Sequence, residues 1–170
     1  MTIAGSYANS HIRVVAEELS NHGELNADFY SVSHHRSHAA SAAYCAPGDP
    51  VTLSIDAQGE YDATVLWDGD LARMKTYGKE NSIGYVYSAA TTHLGYDHGS
   101  DAGKVMGLAS YGDENSELEQ AFRRLTTAGS DGYDVTAITA PDADSTAVFE
   151  NQFIPKKDEP TDFTAEEKDF

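Results

Sequence analysis

The sequence predicts an α/β fold, a mixed sheet flanked by helices, and three observations carry that prediction. Apolar residues recur at helical spacing in several segments. Between them lie short runs rich in β-branched and aromatic residues. Turn residues punctuate the two kinds of segment. With 170 residues, 40% of them hydrophobic, the chain can build the core of about one domain. No internal repeat is visible.

The first element is a helix over residues 11–19, where Ile12, Val15, Ala16 and Leu19 share a face and Gly23 follows as a stop signal. Residues 28–32 read as a strand. Ser33 is placed to cap a helix that opens at His34 and runs through an Ala-rich stretch to about Cys45, with Pro47-Gly48 ending it. Three strand-like runs follow. Residues 51–56 alternate apolar and polar side chains, and residues 63–67 form the next run. Asp68-Gly69 is the signal of a two-residue type I′ hairpin leading into residues 71–77. Residues 83–94 look helical, with Tyr85, Tyr87, Ala89 and Leu94 as burial candidates. A Gly-rich loop spans residues 95–103, a short helix covers 104–109, and an amphipathic helix covers 116–125.

Residues 1–137 are the expected folded domain, and residues 138–170 an acidic, partly irregular C-terminal segment. Within the latter, Thr164-Ala165-Glu166-Glu167 has the pattern of a capping box. A helix announced there ordinarily needs about 8 or more residues. Phe170 comes sooner, so the expectation is a chain that stops inside an element, as a fragment of a longer protein would.

Charge narrows the function classes. There are 28 acidic against 11 basic side chains, for a net charge of −17. The excess is steepest late: residues 113–170 hold 15 acids and 5 bases, residues 1–112 hold 13 and 6. Such a surface repels nucleic acid and anionic lipid, so neither is an expected partner. Few lysines among many acids is what a protein from a salty cytoplasm would carry, where ions screen the self-repulsion, and a disordered acidic tail over residues 138–170 would give the same excess. No apolar run is long enough to span a membrane, and residues 1–5 lack the blocks of a secretory signal. Cys45 is the single cysteine, which excludes a disulfide framework and a thiolate-rich metal site. A cytoplasmic location is the expectation.

Three constellations could carry chemistry. In His34-His35-Arg36-Ser37-His38, positions i and i+4 of a helix lie on one face with Cβ atoms about 5–6 Å apart. His34 and His38 can therefore address one metal ion, although His35 and His38 share a face almost as well. Imidazole suits iron, zinc, nickel and copper alike, and a carboxylate is expected as a third ligand. No Glu follows the first His, so this is not the H-E-x-x-H zinc-protease helix. Asp56-Ala57-Gln58-Gly59-Glu60 places a carboxylate where a strand enters a Gly-bearing turn, a position suited to a nucleotide, a metal or a polar substrate and equally to an ordinary turn. The stretch from Gly99 through Lys104 and Gly107 to Gly112 fails the P-loop pattern, because Val105 stands where a hydroxyl residue would hold magnesium. Its loop–helix junction can still meet an anion through backbone amides and the Lys104 ammonium.

Four stretches in this order resemble the O-carbamoyltransferases of nodulation-factor and antibiotic biosynthesis. His34-His35-Arg36-Ser37-His38-Ala39-Ala40-Ser41-Ala42 is similar to their H-H-x-x-H-A-A-S-A signature. Asp56-Ala57-Gln58-Gly59-Glu60 is similar to the D-G-x-G-E turn, with Ala57 in place of glycine. Ser82-Ile83-Gly84-Tyr85-Val86-Tyr87-Ser88-Ala89 resembles S-x-G-x-x-Y-S-A, and residues 104–112 resemble K-x-M-G-L-A-x-Y-G. Ala102 lies where many members carry a glutamate.

The resemblance implies a partial domain of the actin-like ATPase (RNase H-like) superfamily. It implies that a partner domain makes carbamoyl adenylate from carbamoyl phosphate and ATP. The domain resembled here then moves the carbamoyl group to a small-molecule hydroxyl acceptor. By the same resemblance His34 and His38 are the metal ligands, with iron the expected ion. Asp56 and His35 are candidate catalytic residues, and Gly59, Lys104 and Gly107 candidate cofactor contacts. Family members carry a strand pair before this region and an adenylate-forming domain after it, so a complementing polypeptide is an expected partner. Two other readings stand beside this one: an inactive remnant or small binding module that keeps the fold, and an unrelated metal hydrolase.

Overall fold

A computed structural model describes residues 3–4, 9–24, 26, 28–114 and 116–170. Strand β1 (Ile3–Ala4) leads through helix α1 (Asn9–Ser20) to β2 (Phe29–Tyr30), and the two strands pair in parallel. Helix α2 (His34–Ala43) follows, then the meander β3 (Thr52–Ile55), β4 (Asp62–Trp67) and β5 (Arg73–Gly78). A short 3₁₀ turn, Lys79–Asn81, enters α3 (Ile83–His93), with α4 (Ala102–Ala109) and α5 (Ser116–Leu125) after it. The hairpin β6 (Thr127–Gly129) and β7 (Gly132–Asp134) precedes α6 (Thr136–Thr139), α7 (Ser145–Gln152) and α8 (Ala165–Asp169).

The α/β class therefore holds, but the expected single mixed sheet does not form among the described residues. Three small sheets stand apart: the parallel pair, the antiparallel meander in the order β3-β4-β5, and the β6–β7 hairpin. The reason lies in the connections. Loops of a few residues can only return a strand antiparallel to its neighbour, and the parallel pair is two residues long.

Four local expectations change. Of the burial candidates over residues 83–94, Leu94 is buried and Tyr85 and Ala89 are half-buried, but Tyr87 is exposed. The turn after Trp67 is not a two-residue type I′ hairpin. It runs over residues 68–72, with the Asp68 carboxylate accepting from the amides of Asp70 (3.0 Å) and Ala72 (2.8 Å). The longer loop lets Leu71, at φ 57°, turn its side chain into the core. Strand β3 alternates as expected but faces the other way, burying Thr52 and Ser54 and leaving Leu53 and Ile55 56% and 50% exposed. In α1, Ala16 is buried while Val15 and Leu19 are exposed, and the side chain of Ile12 lies outside the described residues.

Two cores result. Ala39, Ala43, Val65, Trp67 and Leu71 join α2 to the meander. Leu94, Val105 and Ile154 form the second, with Tyr96, Leu108, Phe153, Phe163 and Phe170 packed on it. The acidic C-terminal segment contributes to this second core, since Ile154 is one of its buried residues and Phe153, Phe163 and Phe170 pack on it. Its capping box is present: Thr164 Oγ1 accepts from the Glu167 amide (3.2 Å), and Glu167 Oε2 accepts from the Thr164 amide (2.7 Å). No described helix is long and apolar enough to cross a membrane.

Candidate metal centre

The site sits where the first turn of α2 meets the loop leaving β3. His34 and His38 lie one helical turn apart with ring centroids separated by 4.6 Å. His34 Nε2 faces Asp56 Oδ2 at 2.5 Å and His38 Nε2 at 3.2 Å, and His38 Nε2 lies 3.7 Å from the same carboxylate oxygen. All three potential ligand atoms fall within 4.8 Å of one another. The side chains are 38–58% exposed, so an ion can reach them from solvent.

The donor set fits a divalent cation. Metal–nitrogen and metal–oxygen bonds of about 2.0–2.2 Å put neighbouring ligand atoms roughly 3.0–3.5 Å apart. Two of the three separations are already near that range, and the short His34–Asp56 contact needs to open by about half an ångström or more. Proton counting agrees. A neutral ring nitrogen carries either a proton or a lone pair. His34 Nε2 therefore cannot donate to Asp56 and accept from His38 at once, and a cation satisfies all three atoms together. Two imidazoles and a carboxylate suit zinc and iron as well as other first-row ions.

The Asp56 carboxylate has two hydrogen-bonding neighbours. The hydrogen bond from His34 holds its carboxyl below the ordinary carboxylate value, against partial burial, and the Ala57 amide adds to the effect. That amide donates to Oδ1 at 2.7 Å, leaving Oδ2 to face the histidines.

His35 does not join the cluster. It is 1% exposed, turned toward the meander beside His34, with Nδ1 3.0 Å from Ser54 Oγ and Nε2 2.7 Å from the Asp62 carbonyl. A carbonyl only accepts, so Nε2 carries a proton. Ser54 Oγ also accepts from Trp67 Nε1 at 3.0 Å. A sequence signal for this burial existed. His35, Ala39 and Ala43 are spaced i, i+4, i+8 and form one face, and small residues on that stripe mark the side pressed against the sheet.

The remaining candidates divide. Gly59 stands beside the histidine it serves: a Cβ there would come within 2.7 Å of His35 Cδ2. Lys104 pairs with Asp101 at 2.7 Å, and open space lies where a Gly107 side chain would stand. Neither belongs to the three-residue cluster. Sequence reasoning gave no role to Glu60, whose two carboxylate oxygens accept from the His34 amide at 2.9 and 3.2 Å. Ser33 holds the N-cap position of α2, but its side chain makes no capping bond.

With that geometry in view, the comparisons place the chain in a class. Residues 5–159 match the family model described as carbamoyltransferase N-terminus, and the chain belongs to that family. It is 36% identical over 106 residues to the nodulation protein NolNO of Sinorhizobium fredii, a match covering 58% of this chain and 15% of that protein. An uncharacterized protein of Synechocystis sp., sll1178, is 39% identical over 84 residues, covering 47% and 14%. MJ1058 of Methanocaldococcus jannaschii, also uncharacterized, is 33% identical over 110 residues, covering 54% and 18%. The matched region spans less than a fifth of the length of each of these relatives.

Proposed function

We propose that this chain is the metal-binding part of a cytoplasmic O-carbamoyltransferase with an actin-like domain. In the whole enzyme a carbamoyl group passes from carbamoyl adenylate, made from carbamoyl phosphate and ATP, to the hydroxyl of a small-molecule acceptor. The single observation that carries this reading is the convergence of His34 Nε2, His38 Nε2 and Asp56 Oδ2 within a chain of the carbamoyltransferase family. A divalent ion there, iron by family resemblance, would supply Lewis-acid polarisation of the carbamoyl carbonyl.

The chain's own residues do the positioning. Asp56 keeps Oδ2 toward the histidines because the Ala57 amide occupies Oδ1. His35 is assigned to holding α2 on the meander and not to proton transfer, because both ring nitrogens are engaged in the interior. Lys104 and Gly107 are assigned to the nucleotide side, where the Lys104–Asp101 pair must open for the ammonium to meet a phosphate. The adenylate-forming domain comes from a complementing polypeptide or segment, and the acceptor is a separate small molecule.

Metal analysis of anaerobically purified protein tests the reading. The parent chain is expected to retain about one ion per molecule, and the His34→Ala/His38→Ala variant none. Equal iron in both would overturn the metal assignment. Transfer is then assayed with carbamoyl phosphate, ATP and a hydroxyl acceptor in the presence of the complementing polypeptide. Activity indifferent to the double substitution would overturn the catalytic role.

A further inference from the structure

The Asp56–Glu60 loop is held by more contacts than a surface turn requires. Glu60 caps α2 from 26 residues away, its carboxylate on the His34 amide. It does what Ser33 fails to do, and it brings negative charge to a helix N-terminus, where the aligned backbone dipoles favour it. On the same side, the Gly59 amide and His35 Nε2 both donate to the Asp62 carbonyl, each at 2.7 Å. From the other side, Ser82 Oγ donates to the Ala57 carbonyl at 2.7 Å, and Tyr85 Oη to Gln58 Oε1 at 2.5 Å. Helix α3 comes so close that a Cβ on Gly84 would lie 2.5 Å from Ala57 Cα.

The loop carries one ligand of the cluster, and the helix it caps carries the other two. Among these contacts, the Glu60 carboxylate on the His34 amide is a side-chain bond made directly to the backbone of a ligand residue. Both Glu60 oxygens face that amide, and the residue is not part of the three-ligand cluster. We infer that Glu60 is a positioning residue of the metal centre: by tethering its loop to the first turn of α2, it sets the separation between Asp56 and the two histidines. This inference rests on the metal reading above.

The test compares Glu60→Gln with Glu60→Ala in the full chain. Glutamine keeps a carbonyl that can accept from the His34 amide and removes the charge, whereas alanine removes the tether. Outer partners of metal ligands typically contribute about 10–100-fold in affinity. Titration with Co²⁺, followed by its visible absorption, is expected to show about tenfold or greater loss for Glu60→Ala and recovery to within about threefold for Glu60→Gln. The absorption band of the glutamine variant should match that of the parent. Exchange of the His34 amide in metal-free protein is expected to rise about tenfold or more in Glu60→Ala only, with thermal melts confirming that both variants fold.

Parent-like Co²⁺ affinity in Glu60→Ala would overturn the inference. So would equal loss in both variants together with a changed band, because Glu60 would then be a ligand. A parent chain that takes up no Co²⁺ sinks the metal reading instead. The exchange comparison then still decides whether Glu60 tethers the loop, with unchanged exchange in Glu60→Ala counting against it.

Discussion

The two halves of this chain fill their interiors with different chemistry. Where α2 meets the meander, the apolar core is small, and His35, Thr52, Ser54 and Thr64 are buried beside it. Around α3, α7 and α8 the interior is aromatic, with the rings of Phe122, Phe149, Phe153 and Phe170 lying 4.3–6.3 Å apart by centroid. Directional hydrogen bonds fix where side chains stand but add little net stability. Apolar burial stabilises strongly and orients weakly. The first half therefore orients side chains around His34, His38 and Asp56, whereas the second, although it also buries Thr91 and His93, is dominated by aromatic packing.

Substitutions can separate these roles. The largest effect on stability is expected from Phe149→Ala in the aromatic half, a loss of about 3–5 kcal/mol by chemical denaturation. Co²⁺ affinity of the molecules that remain folded should be unchanged. A weakened metal site at full stability would reverse the division of labour.

In the polar half, Ser54→Ala leaves Trp67 Nε1 and His35 Nδ1 without their shared partner. A loss of about 1–3 kcal/mol is expected, accompanied by weaker Co²⁺ binding because α2 loses its seat. Gly59→Ala presses a methyl group onto His35 and is expected to cost about 1–3 kcal/mol by overpacking. Its effect on metal affinity should exceed that of Phe149→Ala although its effect on stability is smaller. Equal metal binding in the three proteins would erase the contrast between the halves.

The smallest expected effect is a pH dependence at α8. Burial pushes the Glu167 carboxyl up, but the Thr164 amide, the Lys157 ammonium and the Thr164 hydroxyl together hold it below its ordinary value of 4.5. A depressed carboxyl stabilises the fold above its unfolded value, and that stability disappears as pH falls through the folded one. Docking of α8 should therefore weaken progressively below about pH 4.5. Glu167→Gln should flatten that part of the stability profile, while an unchanged profile would remove Glu167 as its source.

The legibility of the sequence follows the same division. The class and the order of elements from α1 to α5 could be read because periodicity and turn residues report them locally, and the Thr164 capping box is likewise a local pattern. The short strand β1, the β6–β7 hairpin, α6 and α7 went unread. The His34–His38 pair could be read because i, i+4 spacing fixes a shared helix face. What stayed hidden depends on long-range pairing. Glu60 reaches back across 26 residues to cap α2. Strand β3 buries its serine because Trp67 and His35 converge on that hydroxyl, and alternation alone cannot say which face turns inward. The separation of the sheets was hidden for the same reason, since strand partners are chosen in space.

The central claim is that His34, His38 and Asp56 hold one divalent ion. Anomalous diffraction at the iron edge, from crystals of the full chain grown or soaked anaerobically with Fe²⁺, tests it directly. A single peak about 2.0–2.2 Å from His34 Nε2, His38 Nε2 and Asp56 Oδ2 is the predicted result. Fully loaded crystals with no peak there, or with iron bound only elsewhere, would contradict it.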